Sequence, residues 1–194
     1  MSRSNTVYIV SGLPRSGTSM MMRMLEAGGM KILTDHLRPA DDDNVQGYYE
    51  FERAKKLKDG DVKWLNQARG KTVKVISSLL EYLPRDYRYK IIFMERDMHE
   101  ILASQRKMLI RREKPNEQAD DKAFASLFER HLKQVKAWLP SQSNMDVLYV
   151  DYNGLLRNPR PHTEAITEFL ELPLDVPAML GVPDERLYRQ RNPD

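Results

Sequence analysis

The chain has 194 residues, 41% of them hydrophobic and 30% charged, with no cysteine and a formal net charge of +3. That balance excludes a disordered chain, a disulfide scaffold and a thiolate metal centre, and it suits one domain, 1–194, built around a single core. No apolar stretch approaches the roughly 20 residues that span a bilayer and no signal peptide opens the chain, so the expectation is a cytoplasmic protein with no membrane contact.

Val7-Tyr8-Ile9-Val10 begins the chain's regular structure as a β-branched and aromatic run, predicted as a buried strand over Val7–Ser11. Next comes Ser11-Gly12-Leu13-Pro14-Arg15-Ser16-Gly17-Thr18-Ser19, followed by Met20, Met21, Met24 and Leu25 at helical spacing and a stop at Gly28-Gly29. The segment resembles a phosphate-binding loop, G-x-x-x-x-G-K-S/T, in its two glycines, Gly12 and Gly17. Thr18, however, stands where the lysine that reaches a triphosphate would be, and the cation has moved to Arg15. Such a loop still holds an anion. The free N–H groups and partial positive charge of the helix start favour one. Arg15 adds a planar donor fork, and Ser16, Thr18 and Ser19 add hydroxyls. The pattern points to a phosphate-bearing donor other than ATP, handled without a metal.

Further along, Lys31–Leu33 is a candidate second strand, and 35–49 is a loop containing Asp41-Asp42-Asp43. Thr72–Ser77 and Ile91–Glu95 are predicted strands; the latter ends in charge at Arg96-Asp97. In the helix that follows, Met98, Ile101, Leu102, Gln105, Met108 and Leu109 share one face, while Glu100, Ser104, Lys107 and Arg111 share the opposite flank. A charged connection covers 111–122. The clearest helix then aligns Phe124, Leu127, Phe128, His131, Leu132, Val135, Trp138 and Leu139, with His131 read as a packed, hydrogen-bonded side chain, and Pro140 closes it. Val147–Val150 is the last strand, and Pro161 suits the start of a helix carrying Ile166, Phe169 and Leu170. Strands alternating with helices predict an α/β fold: a three-layer α/β/α sandwich with a parallel sheet of about five strands, like that of P-loop NTPases. Ligands in such sheets bind beyond the strands' carboxyl ends. Arg15 and Arg96 both fall there, which suggests a ligand with two separated anionic groups.

The loop Pro14-Arg15-Ser16-Gly17-Thr18-Ser19 resembles the 5′-phosphosulfate loop of sulfotransferases that use 3′-phosphoadenosine-5′-phosphosulfate (PAPS). Arg96 with Ser104 resembles their 3′-phosphate site in residue type and spacing. Val147 to Tyr152, then Leu155-Leu156 and Asn158-Pro159, resembles a further strand and turn of that family. The resemblance is to a small, bacterial-type member. It implies in-line transfer of a sulfuryl group from PAPS to a small-molecule or peptide acceptor hydroxyl or amine. It assigns Arg15, Ser16, Gly17, Thr18, Ser19, Arg96 and Ser104 to the co-substrate, and it implies that Arg189 or Arg191 in the basic terminus returns to the 3′-phosphate. Asp35-His36 lies near where the family places its base; His36, with an ordinary pKa of about 6.5, and Asp35 are the leading candidates, and Glu50 is a third. The competing readings are a P-loop nucleotide kinase or triphosphatase and a non-catalytic nucleotide-binding protein. The scattered positive charge contains no stripe suited to nucleic acid. Oligomeric state is open.

Overall fold

Strict alternation along the first strand generates two cores. A computed structural model describes residues 5–35, 37, 47–111 and 121–183, with the backbone alone at Leu109, Arg111 and Asp121. Its strands are β1 (Thr6–Gly12), β2 (Thr72–Lys74), β3 (Arg88–Glu95) and β4 (Met145–Asp151), all parallel, in the order β2-β1-β3-β4. Its helices are α1 (Thr18–Ala27), α2 (Glu52–Lys55), α3 (Leu65–Ala68), α4 (Met98–Arg111), α5 (Asp121–Trp138), α6 (Tyr152–Arg157), α7 (Pro159–Leu170) and α8 (Val176–Leu180).

Val7 and Ile9 of β1 join Val73, Ile91 and Phe93 in a core covered by α2, α3, the 3₁₀ segment Ser77–Tyr82 and α5. Tyr8 and Val10 point the other way, joining Ile92, Met94 and Val150 under α1, α6, α7 and α8. A strand with both faces covered has to be apolar throughout, and 7–10 is. The α1 methionines Met20, Met21, Met22 and Met24 are all buried in the second core, as packing residues rather than ligands. The three-layer α/β/α architecture is therefore present.

Among the described residues the sheet has four strands where about five were expected. Lys31–Leu33 forms a single parallel bridge, Ile32 to Thr72, closed by Leu33 N–H to Thr72 O and Thr72 N–H to Lys31 O. The chain then leaves the sheet because Thr34 and Asp35 bond instead to residues 50–52. Similarly, the expected strand Thr72–Ser77 stops at Lys74, since Ser77 opens a 3₁₀ turn.

Helix α5 packs Leu132, Val135 and Trp138 on the sheet as its periodicity predicts, yet Phe124 and Leu127 at its start are 41% and 47% exposed. Lys136 pairs with Glu95, the last residue of β3. No helix among the described residues is long and apolar enough to cross a membrane.

Candidate functional site

The loop between β1 and α1 has no spare room at its glycines. Gly12 has φ 142°, and a Cβ there would sit 2.5 Å from Ser16 Oγ and 2.6 Å from Met94 O. Gly17 has φ 97°, and its Cβ would lie 2.2 Å from the Tyr152 ring. Both positions need a residue without a side chain, for backbone angle and for space. Arg15 also adopts a left-handed φ of 73°, a strain that non-glycine residues accept where surrounding contacts hold them. Helix α1 starts at Gly17 with no side-chain cap and no acidic residue in its first turn. Its leading N–H groups therefore face the loop with the dipole's positive end, an arrangement suited to an anion. By contrast, Asp151 and Asp175 cap α6 and α8 with their carboxylates. Ser16 is buried, and its hydroxyl donates to Leu13 O at 2.7 Å, bracing the turn.

The second half of the site meets the first directly. Arg15 Nε donates to Ser104 Oγ at 2.8 Å across 89 residues of sequence, and Arg96 Nη1 donates to Arg15 O at 3.0 Å. Arg96 Nε pairs with Glu100 Oε2 at 2.9 Å, its side chain 8% exposed and that of Glu100 4%. Asn153 Nδ2 donates to Glu100 Oε1 at 3.1 Å, and the Arg96 guanidinium lies 4.5 Å from the centre of the Tyr152 ring. Burial pushes the Tyr152 phenol up from its ordinary pKa, against the pull of Arg96. The flank of α4 shared by Glu100, Ser104 and Lys107 is thus divided: Glu100 and Ser104 turn inward to the loop, and Lys107 stays exposed. Helical spacing puts them on one side but says nothing about what that side meets. Beneath the loop, a cavity of about 100 Å³ is lined by Leu13, Ser16, Phe93, Arg96, Ile101 and Leu132. That is too small for a nucleotide, whose sites run to roughly 300 Å³ or more.

Residues 5–190 match the model of the sulfotransferase domain family. The chain belongs to that family. The fold agrees with sulfotransferase structures of low sequence identity. Mouse sulfotransferase SULT7A1 complexed with PAP superposes with a TM-score of 0.57 at 17% identity, over 95% of this chain and 64% of that one. Retinol dehydratase in complex with androsterone and inactive cofactor PAP gives 0.52 at 19%, over 95% and 65%. The sulfotransferase domain from the curacin biosynthetic pathway gives 0.53 at 12%, over 92% and 78%. This chain thus spans just under two thirds of the length of the first two. Curated proteins give no match.

Among this sulfotransferase-family chain's expected proton acceptors, Asp35 is committed elsewhere. Its Oδ2 accepts Glu52 N–H at 2.6 Å, the first N–H of α2, and its Oδ1 accepts Leu37 N–H at 3.2 Å. Glu50 Oε2 pairs with Lys55 Nζ at 2.7 Å. His36, Arg189 and Arg191 lie outside the described residues.

Four residues in the network were not expected from the sequence as site residues. Glu100, Tyr152 and Asn153 hold Arg96 and Gly17 in place. Lys74, last residue of β2, brings its ammonium to Ser19 Oγ at 3.4 Å and to Tyr48 O. The signal for three of them was available: Lys74 ends a strand, and Tyr152 and Asn153 directly follow one, so all three obey the carboxyl-end rule that singled out Arg96. Lys74 supplies, from a neighbouring strand, a cation at the helix start where the loop itself has Thr18.

Proposed function

We propose that this chain transfers a sulfuryl group from PAPS to the hydroxyl or amine of a small-molecule or peptide acceptor. The supporting observation is the Arg15–Ser104 hydrogen bond, which joins the α1 anion cradle to the Arg96–Ser104 helix in one crevice. In this reading the 5′-phosphosulfate lies on the first turn of α1, under Thr18 and Ser19, with Arg15 and Lys74 at its flanks. The 3′-phosphate takes Arg96 and Ser104, so its arrival displaces Arg15 from Ser104 and frees that guanidinium for the sulfuryl end. Arg189 or Arg191 is the sequence's further candidate for the 3′-phosphate.

Transfer forms a bond from the acceptor oxygen or nitrogen to sulfur and breaks the sulfur–oxygen bond to the 5′-phosphate, whose oxygen keeps the electron pair. Adenosine 3′,5′-bisphosphate (PAP) leaves and the acceptor's proton goes to a base. Arg15, Lys74 and the loop N–H groups accelerate this step only as far as they hold the departing oxygen more strongly as its charge grows. His36, Asp35 and Glu50 are the sequence's candidates for the base. Of these, Asp35 and Glu50 already hold backbone or lysine partners.

Calorimetric titration with PAP, 5′-AMP and magnesium ATP tests the reading. It requires PAP to bind at least tenfold more tightly than 5′-AMP, an advantage of about 1.4 kcal/mol or more. Preference for magnesium ATP would instead identify a kinase or triphosphatase.

A further inference from the structure

Tyr48 lies beside the start of α1. Ser19 Oγ donates to Tyr48 O at 3.3 Å, and the Lys74 ammonium donates to the same carbonyl. Lys74 also reaches Ser19 Oγ at 3.4 Å. One backbone oxygen thus closes a triangle with two of the groups placed at the phosphosulfate above. A hydroxyl has a single proton to donate, so Ser19 cannot give it to an anion while giving it to Tyr48 O. The residue after that carbonyl is strained: Tyr49 has φ 52°, in the left-handed region that tyrosine seldom occupies. The chain is anchored on both sides of the peptide. Tyr48 is 5% exposed, and the Tyr49 phenol donates to Glu26 Oε2 at 2.5 Å. Glu50 O accepts from Thr34 Oγ1 at 2.8 Å and from Asp35 N–H at 3.4 Å.

We infer that the Tyr48–Tyr49 peptide is a switch, turned over by the arriving phosphate end of the co-substrate. Its carbonyl leaves Ser19 and Lys74, and the Tyr49 N–H takes that place as a further donor to the anion. This rests on the sulfuryl-transfer reading above. Because a peptide unit is planar, the motion is local. A half-turn of the plane changes ψ of Tyr48 and φ of Tyr49 and leaves both α-carbons, with their anchored side chains, where they are. The same half-turn carries φ of Tyr49 from 52° to an ordinary negative angle. Strain is therefore held with the carbonyl inward and released with the N–H inward. The two orientations also act oppositely on an anion. Inward, the carbonyl oxygen competes with it for the Ser19 proton and the Lys74 charge. Turned over, the peptide presents its N–H, the group that phosphate-binding backbones use. The carbonyl's return competes with PAP for the same donors and so favours its release.

The test compares full-length wild type, Tyr49→Asn and Tyr49→Val, each titrated with PAP and with 5′-AMP. Asparagine and valine are of comparable size, and both lose the phenol's bond to Glu26. They differ in that asparagine tolerates a left-handed φ and valine resists it, so valine favours the turned peptide. Expected is a PAP affinity about fivefold higher or more in Tyr49→Val than in Tyr49→Asn. The same ratio is expected for 5′-AMP, which carries the same 5′-phosphate. Equal affinities, or tighter binding by Tyr49→Asn, overturn the switch. Should Tyr49→Val not fold, a crystal structure of the wild type with PAP decides. A negative φ at Tyr49 with its N–H toward the phosphate supports the switch; Tyr48 O still bonded to Ser19 and Lys74 overturns it. A wild type that binds PAP no better than 5′-AMP defeats the sulfuryl-transfer reading itself, and the ratio between the two variants, read with 5′-AMP, still judges the switch.

Discussion

The two sides of the phosphate loop are built differently. On the β3 side, Arg15, Arg96, Glu100, Ser104, Tyr152 and Asn153 form one connected network whose central ion pair is nearly dry. On the β2 side, Lys74 reaches Ser19 Oγ and Tyr48 O while Ser77 meets His131 separately, and both Lys74 and His131 are only half-buried. Rigidity on one side suits a ligand that is the same in every turnover; looseness on the other suits a site filled from solvent. A guanidinium fixed in advance loses little conformational freedom when a phosphate arrives.

That asymmetry makes the two sides respond differently to substitution. The largest effect is expected at their common hinge. Gly17→Ala would drive a methyl group into the Tyr152 ring at a backbone angle alanine rarely adopts, costing about 1–3 kcal/mol from the angle alone. It should lower the melting temperature and abolish PAP binding together; normal binding would show that the loop tolerates a different conformation. Arg96→Ala strikes the rigid side next, leaving the Glu100 carboxylate buried beside Ser104 without its cation. Chemical denaturation should register a loss of about 3–5 kcal/mol. Adding Glu100→Gln should recover part of it, and no recovery in the double variant would mean that the ion pair is not the source.

Substitution of Lys74 on the open side should spare the fold and change the chemistry. Lys74→Met removes a cation next to Ser19 while keeping its stem. Expected is a fall in kcat of about 10²-fold, with PAP affinity and melting temperature little changed. A loss of PAP affinity in proportion to kcat would instead mark Lys74 as a ground-state contact. Asp35→Ala gives the smallest effect: losing the bond to the first N–H of α2 costs about 1 kcal/mol of stability. Transfer per folded molecule should be unaffected, whereas a drop in kcat of the size expected for a base would return Asp35 to that role.

The local features of the site are visible in the primary structure because each is encoded within a few residues. Gly12 and Gly17 mark backbone angles and close approaches that other residues resist, and the apolar run 7–10 marks a strand covered on both faces. Arg96 and Ser104 are related by helical spacing, again a short-range property. The parallel three-layer architecture follows from alternation of such segments. Contacts between segments are another matter. Arg15 with Ser104, Lys74 with Ser19, and Ser77 with His131 join residues 89, 55 and 54 positions apart. No periodicity in a single chain carries that pairing. Periodicity placed Glu100 and Ser104 on one flank of α4, and only the packing of α4 against the loop turned that flank inward. It placed His131 on an apolar stripe, and only the packing of α5 against the 3₁₀ segment Ser77–Tyr82 brought the ring to Ser77. Spacing sets which side chains share a face; what the face meets is settled by the free energy of packing all the elements at once.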